Sequence, residues 1–249
     1  MARETDALIR KLESVGTLTH QQRAAIEALP VQVASLRKGQ DAVVEGETVT
    51  RCVLLLDGFM HRYKALEDGR RQIFAFHTPG DVPDLHSLNI TYVDHSIAAT
   101  GDCTVGYIPH PALRDAFAGT AGLVDVFWRV TLIEGAIFRN WMLSMGRRDA
   151  VAQMAHLFCE LYARLKAVGL AEGNAFHVPL IQEELADAMG ISTVHANRVL
   201  QQLRRRGLVT FDTKLVQIPD WAALRAFAEF DPSYLHLRQQ DRQRRKADA

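Results

Sequence analysis

At 249 residues with 48% hydrophobic and 23% charged side chains, the chain can build packed cores and is long enough for one or two domains. Its 29 Lys+Arg balance 29 Asp+Glu, which excludes a globally basic nucleic-acid coat, yet residues 1–145 hold 14 against 17 and residues 146–249 hold 15 against 12, so positive charge gathers in the second half. No run of about 18 apolar residues is present to span a bilayer, and Met1-Ala2-Arg3-Glu4 leads into a charged helix rather than a signal peptide, so a cytoplasmic protein with no membrane partner is expected.

Residues 4–29 place Leu8, Ile9, Leu12 and Val15 on one helical face, then Thr19 as a cap before a second short helix with Ile26 and Leu29. From Val31 the period becomes strand-like. Segments at Val31–Leu36, Asp41–Val44, Cys52–Leu56, Phe59–Leu66 and Ile73–Phe76 are broken by Asp57-Gly58, Glu67-Asp68-Gly69 and Pro79-Gly80-Asp81, the pattern of a small β-roll or barrel. His77, His86 and His95, with Asp84 and Asp94, invite a metal or haem reading. Their spacing matches no ligand template, so locally hydrogen-bonded histidines and no metal site are expected. No Ser/His/Asp or Cys/His arrangement and no phosphate-cradling glycine loop stands out, so an enzyme is not expected.

After Ile108-Pro109 the pattern turns helical: Pro111–Phe117, a break at Gly119–Gly122, then a long helix from Leu123 to about Met145. Val126, Val130, Ile133, Ile137 and Trp141 recur along it every three to four residues, and Phe127, Leu132, Phe138, Met142 and Leu143 widen its apolar surface to nearly the whole circumference. Such a helix buries more than one face, either inside one domain or against a second copy of itself across a two-fold axis. Gly146-Arg147-Arg148-Asp149 interrupts the stripe and reads as a hinge before a helix over Ala150–Val168.

Gln182 to Leu208 reads as two short helices meeting at a tight turn. Leu185, Ala186 and Met189 make one buried face, Gly190 supplies a left-handed turn, Ile191 plugs the space between the helices, and Ser192 caps the second helix near His195. That helix buries Ala196, Val199, Leu200 and Leu203, and so turns Val194, Arg198, Gln201 and Arg205 outward, with His195, Asn197 and Gln202 on the flanks. Arg204-Arg205-Arg206 then leads to two short strands, Leu208–Phe211 and Leu215–Ile218, around Asp212-Thr213-Lys214, which reads as a wing. A basic run joining a helix-turn-helix to a wing favours phosphate contact. Asp220 caps a last helix with Trp221, Leu224 and Phe227 inward, Asp231-Pro232 is expected to stop it, and the tail from Arg238 is polar.

On these helix-turn-helix residues, on Gly146-Arg147-Arg148-Asp149-Ala150 and on the glycine-punctuated strands, the chain resembles the Crp/Fnr family of bacterial transcription regulators over nearly its whole length. The resemblance implies an α+β fold: helices and a cyclic-nucleotide-binding-type β-roll sensor at 1–118, a dimerisation helix at 119–146, a winged helix-turn-helix at 147–222, and a helix end with a tail at 223–249. It implies double-stranded DNA as partner, read as an inverted repeat by a homodimer, with RNA polymerase as a further candidate partner. Ser192, Thr193, Val194, His195, Asn197, Arg198, Gln201, Arg205 and Lys214 become the DNA-binding candidates, with Arg198 suited to guanine, Asn197 or Gln201 to adenine, and Val194 to a thymine methyl. The resemblance also favours pairing of the long helix through Val126, Val130, Ile133, Ile137 and Trp141.

Departures matter equally. Ile181 replaces a Thr cap and Val194 replaces a Glu of many relatives. In the effector pocket, made of Gly80, Leu85, His95 and Ser96, Leu85 stands for the ribose-binding Glu and His95 for the phosphate-binding Arg, so cyclic AMP is not expected. Cys52, Cys103 and Cys159 form no cluster, so an iron-sulfur centre is not expected, and the histidine spacing, which matches no ligand template, gives no haem site either. The competing reading is a protein-interaction module with a degenerate helix-turn-helix, supported by Ile181 and the zero net charge.

Overall fold

The computed structural model describes residues 4–90, 92–212 and 214–238, so the polar tail beyond Arg238 lies outside the described residues. Helix α1 (Asp6–Val15) buries Leu8, Ile9, Leu12 and Val15, and α2 (His20–Glu27) starts at Thr19. Thr19 Oγ1 accepts the Gln22 amide at 3.2 Å while Gln22 Oε1 accepts the Thr19 amide at 3.0 Å, a reciprocal cap that satisfies two donors the helix cannot pair itself.

The roll follows as β1 (Gln32–Leu36), β2 (Asp41–Val43), β3 (Arg51–Asp57), β4 (Met60–Ala65), β5 (Arg71–His77), β6 (Ser96–Ala99) and β7 (Cys103–Pro109), in antiparallel sheets ordered β1-β7-β3 and β2-β6-β4-β5. The unbroken apolar run in β3 has a reason. Cys52 and Leu54 face α1, α2 and the helices after the roll, whereas Val53 and Leu55 face the core between the two sheets, so both strand faces are buried. Strands β6 and β7, which local pattern does not announce, are pairing strands whose identity is set by position. Gly106 of the central β7 lets Val31 approach so closely that a Cβ there would stand 2.3 Å from its Cγ1.

Gly80 closes the turn after β5 at φ +97°, and α1 lies directly on it: a Cβ would meet the Ala7 carbonyl oxygen at 2.3 Å. Backbone is in the way, so no rotamer change relieves the contact. Gly80→Ala should cost about 3 kcal/mol or more, combining a disfavoured φ with displacement of α1, and a urea melt of both proteins measures it.

Helix α3 (His110–Gly119) leads to α4 (Leu123–Arg147), 25 residues long, then α5 (Ala150–Ala167). The expected break at Gly146 lies two residues further on. Gly146 and Arg147 stay helical, the Arg148 amide still bonds Ser144 at 3.1 Å, and Asp149 Oδ1 caps α5 by accepting the Val151 and Ala152 amides at 2.9 and 2.8 Å. The capping preference of Asp149 fixes where the chain turns. A hairpin, β8 (Ala171–Glu172) and β9 (Ala175–His177), precedes α6 (Gln182–Met189) and α7 (Thr193–Arg205). Strands β10 (Thr210–Asp212) and β11 (Leu215–Gln217) join that hairpin in a sheet ordered β10-β11-β9-β8, with α8 (Trp221–Phe227) after it.

Asp231-Pro232 does not end α8. That helix closes at Phe227 through a left-handed Glu229, φ 47°, with the Phe230 amide returning to Arg225 at 3.0 Å; Asp231 instead caps a 3-10 turn, Pro232–Leu235. Leu235 and Leu237 pack into the same core as α5 to α8, and α8 is continuous across residues 222 and 223. We therefore extend the C-terminal unit through Leu237. Among the described residues no helix is long and apolar enough to cross a membrane.

Candidate nucleic-acid interface and sensor cleft

Helices α6 and α7 meet as their residues dictate. Leu185, Ala186 and Met189 are buried beneath Ala196, Val199 and Leu203, and Gly190 takes φ +66° at the turn. Leu200 and Ile191 are only partly buried against this core. Ser192 Oγ accepts the His195 amide at 3.3 Å, starting α7. At the head of α6, where Ile181 offers no side-chain cap, Glu184 reaches back and accepts the Ile181 amide at 2.8 Å. The helix start is held without a hydroxyl.

Ser192, Thr193, Val194, His195, Arg198, Gln201, Arg205 and Lys214 are all exposed. Val194 is 65% exposed, an apolar side chain that nothing covers among the described residues. Arg198 has neither a hydrogen bond nor an ion pair among the described residues, so its guanidinium fork is available. Asn197 differs from expectation. Its Nδ2 donates to Gln182 Oε1 and its Oδ1 accepts from Gln201 Nε2, both at 2.9 Å, so both ends of the half-buried amide are engaged and the side chain braces α7 against α6. Gln201 keeps its carbonyl and one N–H for outside partners. The Arg run is exposed throughout but divided in its contacts: Arg204 donates to the Phe211 carbonyl at 3.1 Å and holds the wing to α7, Arg206 lies 4.9 Å over the Phe227 ring, and Arg205 donates to the Gln201 carbonyl of its own helix. Lys214 sits exposed at the wing turn, its carbonyl accepting the Val178 amide at 2.8 Å.

In the first half, a cleft of about 800 Å³ including its open mouth lies between α1, β4, β5 and α4. Gly80 and Leu85 line it, but His95 and Ser96 do not. His95 instead sits against His86 and Phe74, and Ser96 Oγ accepts the Glu45 amide at 3.0 Å. The expected four-residue pocket is therefore split, because the 3-10 turn Leu85–Leu88 carries the chain away from Gly80 before β6 brings it back.

What the cleft holds is a buried charge relay that sequence reasoning does not reach. Arg62 on β4 pairs with Glu134 on α4 at 3.0 Å and donates to the Pro83 carbonyl. Asp81 takes Lys11 of α1 at 2.6 Å and Arg164 of α5 at 3.0 Å, and Arg164 also donates to the Phe76 carbonyl at 2.9 Å. Glu160, one turn before Arg164, accepts the Trp141 indole N–H at 3.2 Å and the Tyr234 hydroxyl at 2.8 Å. Burial alone would raise the Asp81 carboxyl, but Lys11 and Arg164 outweigh it and hold it well below the ordinary carboxylate range. The relay runs from α1 through the roll into α5 and the C-terminal turn. The one sequence signal for it is the Glu160–Arg164 pair, four apart on an otherwise apolar helix.

A second set of contacts fixes α6 to the roll: Arg71 Nε to Asp187 at 2.5 Å, Gln72 Nε2 to the Ala188 carbonyl at 3.2 Å, and Lys38 to Glu184 at 3.8 Å. These occupy the side of α6 away from α7. The outward face of α7 stays clear.

Along α4, Val126 and Val130 are half-buried, and Ile133, Ile137 and Trp141 are buried within the protomer. Ile133, Ile137 and Trp141 are thus core residues of one copy, packed on the roll and on α5, while Val126 and Val130 keep part of their surface in solvent. The face left in solvent carries Val124, Trp128, Leu132, Phe138, Met142, Leu143 and Met145, each between 46% and 61% exposed. Cys52, Cys103 and Cys159 are buried apart from one another with their thiols pushed up by burial, that of Cys103 to about 11, which leaves them as small core residues.

Two family models match the chain. A cyclic nucleotide-binding domain covers residues 33–119 and a Crp-like helix-turn-helix domain covers residues 152–227. Among similar proteins, the transcriptional activator protein FnrL of Cereibacter sphaeroides is 27% identical over 194 residues, 76% of this chain and 77% of that one. The nitrogen fixation regulation protein FixK of Rhizobium meliloti is 24% identical over 79% of this chain and 87% of its own. The structure of FixK2 from Bradyrhizobium japonicum superposes with a TM-score of 0.72 at 26% identity, covering 80% of this chain and 98% of that chain.

Proposed function

The chain belongs to the Crp/Fnr family, and from that membership we infer that it is a DNA-binding transcription regulator that reads an inverted repeat as a homodimer. The observation that carries the reading is the α7 face: a capped, tightly packed helix presenting an unpartnered Arg198 beside exposed Val194 and Gln201. Those are side chains that reach guanine, a thymine methyl and adenine in a major groove, with Arg205, Lys214 and the Ser192-Thr193 helix start placed for phosphates. Two copies related by a two-fold axis put their α7 helices one helical turn apart on the duplex, hence the inverted repeat.

Selection of bound duplexes from a random pool by the purified full chain, at moderate salt and without ligand, tests this. Recovery of one inverted repeat is the expected result. Affinity independent of salt, with no enriched sequence, would favour the competing protein-interaction reading instead. On the selected site, Arg198→Ala should cost about 1–3 kcal/mol, roughly 5- to 150-fold in Kd, and relax the preference at one position per half-site. An equal loss on every sequence would make Arg198 a phosphate contact.

The sensor half does not fit a cyclic nucleotide. His95, held below its ordinary pKa chiefly by burial, is neutral where a phosphodiester needs a fixed cation, no carboxylate stands at Leu85 for a ribose, and the cations of the cleft are already met by Asp81 and Glu134. A cytoplasmic location fits action on DNA. The likeness to transcriptional activators supports RNA polymerase as a further candidate partner, which run-off transcription from a promoter carrying the selected site would test by a rise in transcript.

A further inference from the structure

Away from the cleft, the fold brings together two histidines nine positions apart in sequence. His86 lies in the 3-10 turn Leu85–Leu88 and His95 stands at the entry to β6. Their rings are 4.9 Å apart, and ligand atoms of His86, Asp94 and His95 all fall within 4.8 Å of one another. His95 is 6% exposed, and the Nε2 atoms of both rings are buried with no hydrogen-bond partner. From these observations we propose that His86 and His95, with Asp94, form a binding site for a divalent first-row transition ion of zinc type.

The tautomer follows from the partner. Asp94 Oδ1 lies 2.7 Å from His95 Nδ1, and a carboxylate can only accept, so Nδ1 carries the proton and Nε2 presents a bare lone pair to the buried space beside His86. A carboxylate that orients one imidazole nitrogen while the other ligates is the arrangement that tunes histidine metal ligands. Two imidazole nitrogens as ligands, with the Asp94 carboxylate behind His95, suit a borderline divalent ion better than Mg²⁺ or Ca²⁺, which call for oxygen alone. Asp94 is 82% exposed along its side chain, so water has access to complete the coordination.

The charge opposing a cation here is Arg62, whose field reaches both rings. It is met by Glu134 at 3.0 Å, while Asp94 and Glu45 supply negative field on the other side. A bound ion would clasp the two ends of the segment between the 3-10 turn and β6. It would also fix the Phe74 ring, edge-on to His95 at 5.9 Å and to Phe138 at 6.2 Å, so the site stands one ring away from the exposed face of α4.

Untagged full-length protein, stripped with a chelator and titrated with Co²⁺, tests the site. One equivalent should bind and give visible d–d absorption without a sulfur-to-cobalt charge-transfer band, since every cysteine is buried elsewhere, and Zn²⁺ should displace it. Zn²⁺ should raise the melting temperature of the wild type and not that of His86→Ala or His95→Gln, each of which should bind at least about 100-fold more weakly. Asp94→Asn should bind about 10- to 100-fold more weakly. His20→Ala, on the exposed start of α2, should bind as the wild type does. Failure of the wild type to bind one equivalent, or unchanged binding in His86→Ala and His95→Gln, would overturn the proposal. Wild-type titration and the His20→Ala control keep that outcome independent of whether any variant folds less well.

Discussion

Leu132→Asp should turn the proposed homodimer into monomers and abolish tight binding to its operator. Leu132 is 56% exposed in the single chain and lies along one side of α4 with Trp128, Met142 and Met145, at successive spacings of four, ten and three residues. Gly135 falls on the same side, and an added Cβ there would meet only the tip of Arg139 at 3.4 Å, so a second helix can approach closely at that point. We assign the homodimer to this face. A row of large apolar side chains in water is otherwise unexplained in a folded chain. Two carboxylates introduced across a two-fold axis would be desolvated against each other, which should weaken association by about 100-fold or more. Sedimentation equilibrium reads the oligomer, and circular dichroism reads whether the protomer still melts as the wild type does, as expected for a position that is exposed before pairing. A dimer that survives Leu132→Asp would move the interface elsewhere. It would not return it to Ile133, Ile137 and Trp141, whose burial within one copy makes them core residues first.

Arg164→Ala should destabilise the protein by about 3–5 kcal/mol, because it leaves Asp81 and Glu160 buried with fewer partners than charges. Arg164 belongs to α5 yet bonds the Phe76 carbonyl and Asp81 of the roll, so its loss should also loosen the two halves from each other. Arg164→Lys keeps the charge without the fork and should fall between. The pH dependence has a definite sign. With its folded-state pKa below the unfolded value, Asp81 contributes stability that is fully present above about pH 4 and is lost as pH falls through the folded value. Arg164→Ala should therefore lose less stability than the wild type on acidification below about pH 4. Urea melts at a series of pH values check both statements, and an equal acid loss in the two proteins would place the depression on Lys11 alone.

Much of the fold is legible in the sequence because short-range chemistry dictates it. The Thr19, Ser192 and Asp220 caps, the Gly190 turn and the buried faces of α1, α6 and α7 all follow from which side chain can satisfy a backbone group or face a core three or four residues away. The same logic fails where partners come from afar. Strand β7 escapes it since its identity rests on pairing with β1 and β3. Asn197 reads as a base-contacting side chain from its place on the helix, although Gln182, fifteen residues earlier, claims its amide.

The sequence by itself determined the helices and the turn-bounded strands of the first half, the helix-turn-helix with its outward Arg198, and the resemblance that named the family. Periodicity and capping act within a turn or two of one segment, and those features need nothing more. Tertiary structure alone decided which side of α4 faces water, that Asp81 and Arg164 meet across 83 positions, and that His86 and His95 share one buried space. A helix apolar all round does not say which stripe the roll will cover. Nor does a charged residue on an apolar face name its counter-ion, because both depend on distances set only once the sheets and helices have packed.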